Sequence, residues 1–576
     1  MNNIQKNKQN NTNLIPLHGL GVKSPFGGFR ELVLVLLLVC VSSMAKKLNF
    51  VVPNKIQASG YSAHADLTWE NRMGFVYEIY RSENGGKDFV KAGESNTNHY
   101  LDFFGKPIQK EQIFVYRIIP KGLSTTGKDA SKYEVSVKVR PASDEDLLDM
   151  TQRYTTRYFY DFAQPHTGLA RERSNDTNGD IITIGGTGFG IMALIAGAER
   201  NYFTRNDAFK VIEKIVSFLE KAERFHGAWA HWYDAGTGKV FTFSQYDDGG
   251  DLVESAFMTE GLLTAREYLR NGNGKEKLLV NRITKLWETI EWNWYTQGSS
   301  DALYWHWSKN YGFKMNHKIT GFDETMITYV LAASSPTFPI ERSVYENCYK
   351  HSSYYFNGKS YYGIKLDLGM EYGGPLFFTH YSFLGLNPNG LSDKHTNYFE
   401  RNKAHTLIQV AYATDNPKKH TGYGANCWGF TSSDDPINGY SSHDLNTDDE
   451  NGTISPTASL ASVIYTPKES MAALKHFYFD KGNILFGKYG FYDAFNSDLV
   501  DGQQVVHSYL AIDQGPIAVM IENYRSGLLW KLFMSNSEIH KGLTTLGFMT
   551  SPPALSLRSE EEERGKFVTQ ISYKHL

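Results

Sequence analysis

"PASDEDLLDMTQRYTTRYFYDF" (141–162) marks the point where the period of the chain changes. Upstream, apolar residues alternate with polar ones; from here on they recur at helical spacing. Ser143, followed by Glu145 and Asp146, reads as a helix N-cap with an acidic first turn. Helical runs are then predicted at 188–202, 205–224, 251–272, 274–293, 323–333, 339–351, 397–413, 456–464, 467–479 and 506–523. Long loops rich in glycine and aromatic residues separate them, such as "HWYDAGTGKVFTFSQYDDGG" (231–250). No fixed repeat runs through these segments, which excludes a solenoid. They suit a closed ring of α-hairpins whose loops gather at one end, so the expected class is mainly α.

Between about 48 and 140 the texture is β. "ADLTWE" (65–70), "VYEIYRS" (76–82), "FVYRIIP" (114–120) and "YEVSVKVRP" (133–141) are short aromatic and β-branched runs parted by turn residues, the pattern of an antiparallel sandwich. The tryptophan of the early strand and the "YEIYRS" and "YRI" runs resemble a fibronectin type III-like module. Further upstream, "LVLVLLLVCV" (32–41) is too short to span a bilayer as a helix. With Ser43-Met44-Ala45 behind it, it reads as an export signal over residues 1–45, cleaved after Ala45, and the expected location is periplasmic. A lipid anchor on Cys40 is disfavoured because Val39 stands where a small residue is wanted. At the other end, residues 552–576 include "SEEEERGK" (559–566) and read as a charged, solvated tail.

The totals exclude some partners. A formal net charge of −3 over 576 residues gives no electrostatic reason to bind nucleic acid. No membrane span is expected after signal cleavage, and a monomer is the expected state. Aromatic residues make up 14% of the chain, enough to line a groove as well as a core, and sugars offer C–H faces to such rings. Cys348 and Cys427 could form one bridge or stand as two buried thiols, the plainer reading.

Two motifs imitate cofactor sites. "IITIGGTGFGIMALIAGAER" (181–200) has a β-like run, a glycine loop and a helix, but Ile191 stands where a dinucleotide fingerprint needs its third glycine. These glycines are better placed to let a helix start approach neighbouring backbone. "HDLNTDDENGTISP" (443–456) begins with EF-hand spacing at Asp444, Asn446 and Asp448, but Asp449 replaces the turn glycine and Ser455 the final glutamate. An Asx-rich turn before Pro456 is expected there, and neither a metal nor a cofactor is expected anywhere.

The acids carry the chemistry. "YDDGGDLVESAF" (246–257) places Asp247, Asp248, Asp251 and Glu254 within eight positions. Asp251 and Glu254 form a capping box, which leaves Asp247 and Asp248 unexplained. Crowded carboxylates raise one another's pKa values, which acid–base catalysis exploits. Glu324 stands beside Asp323 at the start of another apolar helix, and Asp513 lies inside a third. With "GAWAHWYD" (227–234) and "LYWHWSKNYGF" (303–313) as aromatic loops, the pattern points to glycoside hydrolysis.

"LARERSN" (169–175), the glycine-rich helix start, "YDDGGDLVESAF", "LYWHWSKNYGF", "GFDETMITYVLAASSPTFPI" (321–340) and "YLAIDQGPIAVMIENYRSGLLW" (509–530) closely resemble the bacterial glucoamylase-like proteins, a group that includes the β-1,2-glucanases of glycoside hydrolase family 144. The resemblance spans about 143–550, with the motifs in order. It implies an (α/α)6 barrel, hydrolysis of β-1,2-linked glucan or its oligosaccharides, and inversion at the anomeric carbon. It places the acidic site on Asp247, Asp251, Glu254, Glu324 and Asp513, with Glu324 as general acid. Asp247 or Asp251 is expected to activate water. Arg171, Glu172, Trp229, Tyr233, Trp305, Trp307 and His380 are the expected sugar contacts. An α-glucan exo-hydrolase is the alternative among enzymes; a glycan-binding protein without chemistry is the alternative outside them, disfavoured by the retained acids.

Overall fold

A computed structural model describes residues 53–70, 74–123, 131–176, 180–299 and 301–551. The expected export signal and charged tail lie outside them. The chain divides into two compact units. Thr68–Tyr100 and Val115–Ser136 belong to one; Ala58–Leu67, Leu101–Phe114 and the chain from Val137 onward belong to the other.

Seven strands precede the first described helix: β1 (Asn54–Gly60), β2 (His64–Glu70), β3 (Tyr77–Ser82), β4 (Val90–Ser95), β5 (His99–Phe103), β6 (Gln112–Pro120) and β7 (Glu134–Val139). They form a three-stranded sheet ordered β1-β2-β5 and a four-stranded sheet ordered β4-β3-β6-β7. In β3, Tyr77 and Ile79 are buried while Glu78 and Tyr80 are half-exposed, the alternation the sequence predicts. The indole of Trp69 meets the Tyr77 ring edge-on, 5.4 Å between centroids.

The second unit is helical. Ser143 caps helix Asp144–Tyr160 through a reciprocal capping box with Asp146. Six segments are buried nearly all round: helices Gly185–Glu199, Leu252–Leu269, Met326–Ser334, Pro456–Ala461 and Ala511–Ser526, and the 3-10 turns Leu376–Thr379 and Tyr381–Phe383, which together take one place. Each touches the next. The first three pack in sequence; Ser382 accepts Ile327 N–H at 2.9 Å; His380 bonds Ser462 at 3.0 Å; Thr457 donates to the Asp513 carbonyl at 2.7 Å. Contact between helices Ala511–Ser526 and Gly185–Glu199 closes the circle. Amphipathic helices such as Arg205–Leu219 and Gly274–Glu288 cover it from outside, each apolar on one face only.

The glycines of 185–190 do what their spacing suggests. A Cβ on Gly188 would meet the Phe257 carbonyl oxygen at 2.2 Å, and one on Gly261 would meet the Gly188 carbonyl oxygen at 2.2 Å. Helices Gly185–Glu199 and Leu252–Leu269 therefore approach backbone to backbone. The helix also starts three residues before the predicted 188, because these glycines lie inside it. At the other end of the chain, Val505–Val506 is a strand and the predicted 506–523 helix begins only at Ala511. Helices Leu528–Met534 and Ser537–Leu546 were not foreseen. Cys348 and Cys427 are both free and buried, and burial pushes the Cys427 thiol up to about 12. Among the described residues, no helix is long and apolar enough to cross a membrane.

Gly188→Ala should lower stability by about 1–3 kcal/mol, the usual cost of forcing volume into a packed interface. Gly274→Ala, at a helix start where a Cβ meets nothing within 4 Å, should leave stability equal or higher. Thermal melts of the two variants check the contrast; equal melting temperatures would mean that the helices can separate freely.

Candidate active site

The opening of helix Leu252–Leu269 organises the acids. Asp251 is its N-cap, and one carboxylate oxygen accepts the N–H groups of Val253 (3.0 Å) and Glu254 (2.9 Å). The other oxygen accepts the Trp305 indole N–H at 3.0 Å and pairs with His231 Nδ1 at 3.1 Å. Burial pushes the Asp251 pKa up, but the His231 partnership and the other donors outweigh it and leave the group below its usual value. Gly249 and Gly250 precede it because the chain there pairs tightly with His306–Trp307: a Cβ on Gly249 would lie 2.1 Å from the Trp307 carbonyl oxygen.

His231 lies between two acids. Its Nδ1 faces Asp251 and its Nε2 stands 3.9 Å from Glu254. Burial works against its charge, but Glu254, Asp251 and Asp247 together raise its pKa to about 9. The ring stacks on Phe243 at 4.5 Å. Glu254 accepts the Gly185 N–H at 2.7 Å, at the N-terminus of helix Gly185–Glu199. Burial still raises Glu254 to about 7.

Asp247 is buried with one oxygen that finds no donor. His306 Nε2 lies 3.4 Å away, but that nitrogen accepts the Gly249 N–H at 3.0 Å and so has no proton to offer. Burial, then repulsion from Asp251, push Asp247 up to about 7.

Glu324 precedes helix Met326–Ser334. Asp323 makes the turn, accepting the Thr325 N–H at 2.9 Å and the Thr325 hydroxyl, while Ser382 donates to the Glu324 carbonyl. The Glu324 carboxyl is left half-buried, bonded only to its own backbone N–H. Burial, then Asp323, then Glu254 and Asp251 hold its pKa well above the carboxylate range.

Asp513 lies in the first turn of helix Ala511–Ser526, 3.4 Å from the Tyr381 hydroxyl, and burial raises it to about 8. Glu172 is clasped by Arg173 at 2.6 and 3.1 Å, and its charge is felt at Glu254 and Asp513. The five expected acids thus share one electrostatic neighbourhood.

The expected sugar contacts divide. Trp305 stands on Asp251, and Trp307 is partly exposed against His226. Trp229 and Tyr233 are fully buried, with Trp229 donating to the Leu219 carbonyl and Tyr233 to that of Glu223, so neither can reach a sugar. His380 is also buried, bonded to Ser462, with its pKa driven down to about 3 by burial. Arg171 spends its guanidinium on Asp180 and the Phe162 carbonyl. The sequence reading missed His231, Phe243 and Tyr440. Tyr440, on hairpin strand Gly439–Ser441, has half its surface exposed yet interacts electrostatically with Asp513, Asp493, Glu172 and Glu324. A histidine inside an already quoted aromatic loop was the available signal.

His231, Asp247 and Asp251 also bring possible ligand atoms within 4.8 Å of one another. Asp251 already accepts four hydrogen bonds, one of them with His231 Nδ1, so the trio as it stands is a hydrogen-bonded cluster. In the 443–456 loop, Glu450 accepts the Asn446 N–H at 3.0 Å, making an internal turn.

A ring of buried helices opening on acids held at elevated pKa is the centre of a glycoside hydrolase. The Glycoamylase family, described as "Putative glucoamylase", matches residues 316–537. A Parabacteroides distasonis protein named exo β-1,2-glucooligosaccharide sophorohydrolase (non-reducing end) is 41% identical over 510 residues, 84% of this chain and 70% of that one. An endo-β-1,2-glucanase from Chitinophaga pinensis, solved with sophorotriose and glucose, is 47% identical, covering 71% of this chain and 99% of that one with a TM-score of 0.69. The structure of a β-1,2-glucanase from P. distasonis is 39% identical, covering 87% of this chain and 73% of that one with a TM-score of 0.77. The chain belongs to this glucoamylase-like family, the group of the β-1,2-glucanases.

Two expectations follow. Asp251→Asn offers one oxygen where two pairs of donors need one each, so it should cost about 1–3 kcal/mol of stability and return the His231 pKa towards its ordinary value, read by NMR titration; Asp248→Asn should do neither. Activity should survive exhaustive EDTA dialysis, and a loss that a divalent cation restores would make the His231–Asp247–Asp251 trio a metal site.

Proposed function

We propose that the protein is an inverting glycosidase that removes sophorose units from the non-reducing ends of β-1,2-glucan oligosaccharides. Its helical ring is read as an (α/α)6 barrel, its strands as a fibronectin type III-like sandwich, and its location as periplasmic. The observation that carries the mechanism is the Glu324 carboxyl: half-open, without a partner side chain, and kept protonated by burial beside other acids. Such a group can give its proton to a glycosidic oxygen as the bond breaks.

Asp247 is the better of the two candidates for the opposite task. Asp251 has four donors to satisfy and a lowered pKa, so it anchors; Asp247 has an uncommitted oxygen and a pKa near 7, suited to taking a proton from water. Inversion needs a gap of roughly 6.5–9.5 Å between acid and base for that water. His231 keeps Asp251 ionised, and Asp513, buried behind them, accepts the Tyr381 hydroxyl. The exo reading follows the relative named an exo-acting sophorohydrolase, which is 41% identical over 84% of this chain; an endo-acting relative is 47% identical over 71%, which makes endo action the second reading.

Glu324→Gln should fold normally and lower kcat on β-1,2-glucan by at least ~10²-fold, the scale of a lost general acid. Wild-type enzyme should release sophorose, first as the α-anomer by NMR, and leave starch intact. Near-normal kcat in the variant would remove Glu324 from its role, and a ladder of long early products would make the enzyme endo-acting. Activity should rise as pH climbs through the Asp247 range near 7 and fall only once Glu324 ionises.

A further inference from the structure

A second group of acids lies behind Asp513 and is not used by the mechanism above. Asp493, just before strand Ala494–Asn496, is buried. One of its oxygens accepts the Asp434 N–H at 2.7 Å; the other meets no N–H or O–H donor. The far oxygen of Asp513 likewise meets none. The two carboxyls face each other within hydrogen-bond reach.

Counting charges decides what lies between them. Asp434 is bound by Arg173 at 2.9 and 3.1 Å and by the Ser508 hydroxyl at 2.9 Å. Arg173 also clasps Glu172 at 2.6 and 3.1 Å. The Arg173 guanidinium is therefore spent on Asp434 and Glu172, and neither Asp493 nor Asp513 is bonded to a cation among the described residues. His231 faces Glu172 from the other side, and the remaining titratable groups facing the four acids are the hydroxyls of Tyr381, Tyr440 and Tyr158, which are neutral. Two buried carboxylate oxygens with no donor would repel at full strength; one proton between them satisfies both.

We propose that Asp493 is a positioning residue that carries this proton and donates it in a hydrogen bond to Asp513, fixing the orientation of that carboxyl beside the Tyr381 hydroxyl. The placement favours Asp493 as the holder. Both carboxyls have acidic neighbours, Asp513 and Asp434 for Asp493 and Asp493, Asp434 and Glu172 for Asp513. But Asp493 has only the Asp434 N–H as a fixed partner, whereas Asp513 accepts the Tyr381 hydroxyl, which steadies a carboxylate. Burial and those neighbours drive Asp493 well above the carboxylate range. This role rests on the glycosidase reading, but the proton itself does not.

The test pairs Asp493→Asn with Asp493→Ala. Asparagine can donate to Asp513 and accept from the Asp434 N–H, reproducing the protonated acid; alanine can do neither. Alanine should lower kcat/KM on β-1,2-glucan by at least ~10-fold, the scale of a buried group left unsatisfied, and asparagine should recover most of that loss while shifting the pH profile. Melting supplies a readout that needs no substrate. A carboxyl whose folded pKa lies above its unfolded one binds more protons when folded, so wild-type stability should fall as pH rises above the ordinary carboxylate range. Asp493→Asn should flatten that fall. Asparagine as harmful as alanine, alanine with a wild-type pH profile, or an unflattened melting curve for Asp493→Asn would each overturn the proposal. If β-1,2-glucan is not the substrate but the curve flattens, the function is misread and the proton stands.

Discussion

The hydrogen bond between His231 and Asp251 joins two demands that would otherwise conflict. Helix Leu252–Leu269 needs an acceptor at its first turn, and Asp251 supplies it from a fully buried position. A buried carboxylate needs compensation, and an imidazole at 3.1 Å supplies that. The same ring faces Glu254 and lies within range of Asp247, so one cation holds three acids in different states: Asp251 ionised, Asp247 and Glu254 near the point of change. Glu254 turns to the Gly185 N–H instead of closing the expected capping box, so it is the Asp251 N-cap and the acidic cluster that are one object.

Fold and site are tied together again at Gly185. Its N–H is the donor to Glu254, and a Cβ there would lie 2.6 Å from that carboxylate. The first glycine of the helix thus gives the acid both its partner and its room. Gly188, three residues on, lets the helix bearing that N–H lie against the helix bearing the acid. Side chains that move protons need positions fixed to fractions of an ångström, and backbone-to-backbone packing provides them.

Much of this was legible because the signals are local. Apolar periodicity placed helices at 205–224 and 274–293, which the structure ends earlier, at Leu219 and Glu288. Crowding before an apolar run marked Asp247, Asp251 and Glu254, a helix-start position beside Asp323 marked Glu324, and an acid inside an apolar helix marked Asp513, with the family resemblance joining the five. The aromatic contacts were not legible. In "GAWAHWYD" the deciding fact is which rings point inward, and that depends on distant partners: the Leu219 carbonyl for Trp229, that of Glu223 for Tyr233, and Asp251 for His231. The pairing of Asp493 with Asp513 was equally hidden, because nothing near residue 493 in sequence announces an acid brought from another element.

The two acid groups solve one electrostatic problem in different ways. Around Asp251 the excess negative charge is offset by a histidine of raised pKa; beside Asp513, Arg173 is already shared by Glu172 and Asp434, and a retained proton completes the balance. A cation leaves its neighbours free to ionise, whereas a retained proton fixes which partner is negative. The first arrangement suits carboxyls that must exchange protons during turnover, and the second suits one that must only hold a hydroxyl still. Because each group titrates as a unit, removing a single acid changes the charge of those that remain. Losses from single substitutions within either group should therefore not add.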